Sequence, residues 1–242
     1  MRRNIGIFLA ITSLALAVLA CQAVTSGGSN TAIPPVNTTN LPIPTTISTQ
    51  SNTGNVLLQD DFSSMQWGTG TDKDSSVEYA KAALQFIVFT KNYFVWSTPN
   101  AKDYQNIHME VTVLNNGTDS TTGFGLMCHQ QASSKGSFYY LAMTPAGEYA
   151  IAKATPEQSD VFLTNNNQWA ASDLIKKDAS SYRVGADCGS NGTLTLYVDG
   201  QQIASVSDVS YTNGGVAVFT WSGEEATNTD VSFDDFLMTE LQ

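Results

Sequence analysis

The stretch Leu194–Val206, with the sequence LTLYVDGQQIASV, decides the fold of this chain. Every second residue from Leu194 to Val198 is apolar, which is the period of a strand with one buried face. Asp199 and Gly200 follow, and this dipeptide between two strand-like runs is a hairpin signal. The stretch therefore predicts two antiparallel strands joined by a tight turn.

The same alternation recurs along the chain, in Ile107–Val113 and in Arg183–Cys188. Convincing helical periodicity is absent, and Asn167–Lys177 is at most one short turn. Turn signals separate the runs at Asn115–Gly117, Pro145–Gly147, Ser190–Gly192 and Asn213–Gly215. We predict an all-β domain, an antiparallel sandwich of two sheets, over residues 56–242.

Residues 21–55, before this domain, have a different composition. They are rich in Ser, Thr, Asn, Pro and Gly and contain no aromatic and no charged side chain. Such a segment cannot bury enough apolar surface to offset the entropy cost of ordering it. We predict a flexible tether.

Residues 1–20 have the pattern of an export signal, with Arg2 and Arg3 before an apolar run from Ile5 to Ala20. The sequence VLAC that ends at Cys21 resembles the lipobox of bacterial lipoproteins. This resemblance implies cleavage before Cys21, lipidation of its sulfur, and a domain held outside the cytoplasm at the cell membrane or outer membrane. Secretion without a lipid is the first alternative. An uncleaved spanning helix is the second, although it needs about 20 apolar residues.

The chain is strongly acidic, with 11 Lys and Arg against 22 Asp and Glu and a net charge of −11. This charge repels phosphate backbones and anionic head groups, so we expect no nucleic acid partner and membrane contact through the lipid alone. Acidic side chains suit calcium, and they also suit simple solubility.

Cys128 and Cys188 are the remaining cysteines once Cys21 is modified. An even pair in an oxidising compartment predicts a disulfide. Each cysteine ends an alternating strand, so we expect the two strands to be neighbours with both side chains in the core. A metal-binding or catalytic thiol is the alternative, and no CxxC spacing supports it.

The domain resembles the concanavalin A-like lectin and glucanase jelly rolls of bacteria. The order of the matching segments carries the resemblance, more than any one of them does. They are Asp60–Ser63 with Trp67, Ala83–Phe86, Met109–Val113, Gly123–Cys128, Phe138–Leu141, Gly147–Ile151, Leu194–Gly200, Gly215–Val218 and Val231–Phe236. The resemblance implies either sugar binding or glycan cleavage.

The cleavage hypothesis can be tested on the carboxylates. Relatives of the laminarinases carry a Glu-x-Asp-x-(x)-Glu strand, and glycoside hydrolysis needs two carboxyl groups. Glu110 stands alone, and the adjacent Glu224 and Glu225 would face opposite sides of a strand. We therefore assign no catalytic residue and expect a non-catalytic module that binds carbohydrate or another extracellular polymer. Two alternatives stay open: a glycan-processing enzyme that uses His129, Asp187 or Glu110, and a structural or adhesion lipoprotein without a small ligand.

Members of the family that the domain resembles often bind a structural calcium ion, although we expect that this chain requires no cofactor. The segment Phe233–Phe236 matches the family segment that supplies an Asp ligand, which makes Asp234 the candidate, together with backbone carbonyls. The alternative is that Asp234 caps a turn or pairs with a lysine.

Strand alternation also suggests a ligand surface. If Phe124 and Leu126 face inward, His129 faces outward, and we expect Arg183 and Asp187 on the same outer face. These polar groups could meet sugar hydroxyls, with Trp169 and Tyr139 as stacking rings. The competing interpretation is that Arg183 and Asp187 simply pair with each other. Trp67 and Trp221 are expected in the core.

Overall fold

The computed structural model describes residues 54–134, 136–223 and 229–241, and these residues form strands and turns without a helix. Consequently no helix in this part of the chain is long and apolar enough to cross a membrane. The strands are β1 (Val56–Asp60), β2 (Gly70–Thr71), β3 (Ser75–Ala80), β4 (Ala83–Val88), β5 (Phe94–Ser97), β6 (Ile107–Asn115), β7 (Gly123–Gln130), β8 (Phe138–Met143), β9 (Glu148–Ala154), β10 (Val161–Phe162), β11 (Ala170–Ala171), β12 (Ser181–Cys188), β13 (Thr193–Val198), β14 (Gln201–Ser207), β15 (Gly215–Trp221) and β16 (Thr229–Glu240).

The strands form two antiparallel sheets. The nine-stranded sheet has the order β14-β13-β12-β6-β16-β4-β3-β2, with β1 paired to the second half of β16. The seven-stranded sheet has the order β10-β9-β8-β7-β15-β5, with β11 paired to β9. Neighbours in space are often distant in the chain, and the predicted sandwich of jelly-roll type is confirmed.

The hairpin predicted from Leu194–Val206 is present. Val198 pairs with Gln201, so Asp199 and Gly200 form a two-residue turn between β13 and β14. Both turn residues have positive φ, 50° and 76°, which matches the right-handed twist of the flanking strands.

The core lies between the inner faces of the two sheets. Phe124 and Leu126 of β7 and Val184 and Ala186 of β12 all point into it, as the alternation predicted. Other large residues of the core are Phe62, Trp67, Leu84, Phe86, Ile107, Met109, Tyr139, Leu141, Tyr182, Phe233 and Phe236. Burial of so many apolar side chains is the main stabilising contribution to this domain.

The predicted disulfide between Cys128 and Cys188 is confirmed, with a Cα–Cα distance of 6.6 Å. The expectation that their strands are neighbours is wrong, because β7 belongs to the seven-stranded sheet and β12 to the nine-stranded sheet. Two inward cysteines can meet across a sandwich core as readily as along a sheet. The disulfide therefore links the two sheets.

The described domain begins beside its own end. Leu58 of β1 pairs with Met238 of β16, and the amide of Glu240 donates to the carbonyl of Asn55 at 2.9 Å. The predicted signal peptide at 1–20, Cys21 and the tether up to residue 53 lie outside the described residues. The division into signal, tether and domain stays a prediction.

Candidate functional site

A groove of about 940 Å³ lies on the outer face of the seven-stranded sheet. Aromatic side chains dominate its lining, so we call it the aromatic groove. They are Phe94, Trp96, Phe138, Tyr140, Phe162, Trp169, Phe219 and Trp221. Its volume is in the range of sites that take a small ligand or a short stretch of polymer.

Strand alternation places these rings on one face. In β8, Phe138 and Tyr140 point outward while Tyr139 between them points into the core. In β15, Phe219 points outward in the same way, and Trp221 lies two residues further along. The sheet itself therefore fixes the spacing of the rings.

The floor of the aromatic groove is a packed layer of rings. Phe94 stacks on Phe219 with centroids 4.6 Å apart and an angle of 16° between the planes. Tyr140 lies 5.7 Å from Phe219, edge to face. Because Phe138, Tyr140 and Phe219 are all buried, the floor is held rigidly.

Two tryptophans form one rim. Trp169 and Trp221 lie nearly parallel, with centroids 6.2 Å apart and 20° between their planes. The indole nitrogen of Trp221 donates to Asn92 Oδ1 at 3.0 Å, which fixes that ring. A Cβ atom added to Gly123 would lie 3.2 Å from the ring of Trp221, so a residue without a side chain lets the ring lie close to β7.

Polar groups line another part of the aromatic groove. Asn92, Thr155, Gln158, Ser159 and Asp160 contribute hydrogen-bonding atoms. The hydroxyl of Tyr140 donates to Asp160 Oδ2 at 3.0 Å. Burial raises the pKa of Asp160, although the hydrogen bond from Tyr140 acts in the opposite direction. Flat rings beside a few directed polar groups suit a ligand that has both apolar faces and hydroxyl groups.

The outer face of the nine-stranded sheet carries a different set of side chains, which we call the charged network. His108 Nδ1 lies 2.6 Å from Asp187 Oδ1, and His108 Nε2 lies 3.3 Å from Glu110 Oε1. Arg183 donates to the other oxygen of Glu110 at 3.2 Å, and the hydroxyl of Tyr197 donates to Asp187 at 2.7 Å. The groups lie on adjacent strands and pair with one another.

The two carboxylates change the titration of His108. Burial alone would lower its pKa, but hydrogen bonds and charge from Asp187 and Glu110 outweigh burial and raise the pKa of His108 to about 9. The hydrogen bond from His108 in turn lowers the pKa of Glu110, and Arg183 acts in the same direction. Both ring nitrogens of His108 therefore donate protons at neutral pH.

The structure separates the predicted ligand residues. Trp169 lies in the aromatic groove, whereas Arg183 and Asp187 lie across the sandwich in the charged network. We expected Arg183 and Asp187 to share an outer face with His129 because β7 and β12 were predicted to be neighbouring strands. The two strands belong to different sheets. Arg183 also does not pair with Asp187, since each has a different partner.

His129 and Tyr139, expected to face a ligand, are fully buried. The backbone of His129 has a φ of 53°, at a point where the pairing of β7 with β15 shifts register. This irregularity breaks the alternation and turns the imidazole inward, where Nδ1 lies 3.0 Å from the carbonyl oxygen of Tyr211. Burial lowers the pKa of His129, and its imidazole does not face an outer surface of the sandwich.

Sequence reasoning missed most of the aromatic groove. Trp221 was expected in the core, and that was wrong, whereas Trp67 is in the core as expected. Phe94, Phe138 and Tyr140 were not considered as ligand residues at all. β8 is one continuous apolar run, FYYLAM, because one of its faces lies in the core and the other forms the floor of the aromatic groove. Such a run does not show which side chains point outward.

Asp234 lies on β16 and is half-buried, and its Oδ1 accepts a hydrogen bond from the amide of Asp235 at 2.8 Å. The neighbouring carbonyl of Asp235 accepts from Arg183 at 2.6 Å. Among the described residues no group of three His, Cys, Asp or Glu side chains is arranged to hold a metal. A site built from one carboxylate and backbone carbonyls would not need such a group, so the calcium hypothesis stays a prediction.

Solved structures of similar shape were found at low sequence identity. The carbohydrate binding module CBM66 from Bacillus subtilis superposes with a TM-score of 0.53 and 11% identity, covering 72% of this chain and 95% of that one. A Bacillus subtilis protein of unknown function with a galectin-like fold gives 0.57 and 12%, covering 77% and 96%. A β-glucanase from Bacillus licheniformis gives 0.50 and 12%, covering 78% and 100%.

No protein-family model matches the chain, and no curated protein matches it. At these identities the likeness establishes the fold. The domain has the jelly-roll β-sandwich fold that these structures share, as the sequence resemblance implied.

Proposed function

We propose that this chain is an exported lipoprotein whose domain binds carbohydrate in the aromatic groove without cleaving it. The arrangement of rings and polar groups in that groove carries the proposal. Sugar rings have flat apolar faces that stack on aromatic side chains and hydroxyl groups that need directed partners. Both kinds of partner lie in the groove.

The fold is used by proteins that bind glycans and by proteins that cleave them, so glycan binding or processing is the activity class that it favours. Binding without cleavage is our choice because the sequence lacks the Glu-x-Asp-x-(x)-Glu strand of the laminarinase relatives. Asp187 and Glu110, two of the candidate catalytic groups, lie in the charged network and are paired with His108.

Attachment to a membrane surface through Cys21 completes the proposal and rests on the sequence alone. A lipid on Cys21 and the following tether would hold the domain away from the membrane, where an extracellular polymer can reach it. A structural lipoprotein without a small ligand would not need an outer face with a groove of this size.

The test is binding of the full-length chain to a panel of soluble oligosaccharides, with Trp169→Ala as the variant and Tyr197→Phe, in the charged network, as the matched control. We expect Trp169→Ala to weaken binding about tenfold, because one stacking ring is lost. We expect Tyr197→Phe to bind as the unchanged chain does. If both variants bind the oligosaccharides equally well, the aromatic groove is not the binding site. If the chain releases shorter products from the same oligosaccharides, it is a glycan-cleaving enzyme and the proposal of binding without cleavage is wrong.

A further inference from the structure

The aromatic groove contains one charged side chain among its described lining residues, and that side chain is Asp160. Its Oδ2 atom is held at 3.0 Å by the hydroxyl of Tyr140. The ring of Tyr140 in turn lies 5.8 Å from Phe94 and 5.7 Å from Phe219. A negative charge is therefore fixed at the edge of a cluster of aromatic rings.

Several carboxylates outside the aromatic groove pair with a cation of their own. Asp208 pairs with Lys153 at 3.0 Å, Glu110 with Arg183 at 3.2 Å, and Asp187 with His108 at 2.6 Å. Asp160 has no such ion pair in the described part of the chain. In keeping with this, burial raises the pKa of Asp160, whereas the pKa values of Asp208 and Glu110 are lowered.

We propose that the aromatic groove recognises an amino sugar, with the protonated amine of the ligand paired to Asp160 beside the ring of Tyr140. Carboxylate and aromatic ring are the two partners that an ammonium group prefers, through charge and through the electrostatic field of the ring face. The sugar rings on either side of the amine would lie along the remaining aromatic surface. This inference rests on the proposed function and names the class of glycan.

The charge of the whole chain supports this choice. A net charge of −11 attracts a cationic polymer and repels polymers that carry carboxylate or sulfate groups. A neutral sugar can also donate hydroxyl hydrogens to Asp160, but it gains nothing from the charge. The two ligand classes therefore differ in how strongly binding depends on the charge of Asp160.

The experiment compares three probes of equal length against the full-length chain at about pH 6 by titration calorimetry. The probes are the hexamers of glucosamine, of N-acetylglucosamine and of glucose with β-1,4 linkages. Asp160→Asn removes the charge and keeps an oxygen for Tyr140, and Asp61→Asn removes one charge on the opposite side of the sandwich. We expect the glucosamine hexamer to bind about fivefold more tightly than the two uncharged hexamers.

We expect Asp160→Asn to abolish this preference while binding of the uncharged hexamers is kept, and Asp61→Asn to leave the preference in place. Equal affinity for the three hexamers in the unchanged chain would overturn the amino-sugar inference and leave glycan binding intact. A preference that survives in Asp160→Asn would overturn the role of Asp160. If none of the three hexamers binds, the amino-sugar inference is wrong. Glycan binding itself is then decided by the panel of soluble oligosaccharides in the Trp169→Ala test.

Discussion

On the outer face of the nine-stranded sheet, Arg183 and His108 both pair with Glu110, whereas on the outer face of the seven-stranded sheet aromatic rings line a groove. Both faces are built on antiparallel strands of the same sandwich. In the charged network the polar groups satisfy each other. In the aromatic groove, Trp96 at the side of the buried floor is 38% exposed. Groups that satisfy each other stabilise the fold, and exposed rings are available to a ligand.

Because the two faces carry different side chains, the stability of the domain and its ligand binding are expected to be separable, and three changes test this separation. The first concerns the link between the sheets, the second and third the charged network. In all three, the free energy of unfolding is expected to change while the affinity of the folded domain for its ligand is kept.

Replacement of Cys128 and Cys188 by Ala has the largest expected effect. The disulfide closes a loop with a sequence separation of 60, and the chain-entropy model gives about 4 kcal/mol for a loop of this size. Urea unfolding of the double variant should show that loss of stability, and affinity for the best ligand should stay within twofold. A domain that stays equally stable would mean that the two sheets need no link beyond their shared core.

Arg183→Met should have the next largest effect. Arg183 donates to Glu110, to Thr112 and to the carbonyl of Asp235, and all of these partners would lose a hydrogen bond. Since the Arg183–Glu110 ion pair is about one-third exposed, we expect a loss of about 2 kcal/mol in the free energy of unfolding. Arg183→Lys is the matched control, which keeps the charge but not the geometry, and should lose less. Weaker ligand binding in Arg183→Met would contradict the separation of the two faces.

The pH dependence of stability should show the smallest effect. The pKa of His108 is about 9 in the folded domain, above the ordinary value of 6.5, so protonated His108 favours the folded state. Its contribution is complete below about pH 6.5 and is lost as the pH rises through about 9. We expect a decrease of about 1–2 kcal/mol over this range, since solvent screens part of the network.

Urea unfolding at about pH 6 and pH 10 measures this decrease, and His108→Gln supplies the control. The variant should be less stable at the lower pH and should lose less stability between the two values. An identical decrease in the variant would assign the pH dependence to groups outside the charged network.

Sequence reasoning predicted the sandwich because one face of strands such as β12 and β13 is polar, so the period of two is visible. It also predicted the disulfide, from the number of cysteines and the expected compartment. It could not predict which strands stack across the core, since Cys128 and Cys188 can meet in either geometry. Arg183 and Asp187 were therefore assigned to the wrong face.

The candidate site was harder to predict for a second reason. Strand β8 is apolar on both faces, and its outward rings, Phe138 and Tyr140, look in sequence like core residues. Trp169 was predicted as a stacking ring, and it does lie in the aromatic groove. His129 was misplaced because nothing in its own sequence marks the positive φ that turns it inward.

The disulfide between the sheets has a mechanical consequence in the proposed lipoprotein. A ligand held in the aromatic groove would pull on the seven-stranded sheet, whereas β1, which continues the tether, belongs to the nine-stranded sheet. Tension between polymer and membrane would then pass from β7 through the disulfide to β12, and across β6 and β16 to β1 by backbone ladders. Hydrogen bonds between strands join neighbours within each sheet, whereas the disulfide joins one sheet to the other. Under tension, the disulfide would keep the sheets from sliding apart, and the weakest step would become the short β1 ladder beside the tether.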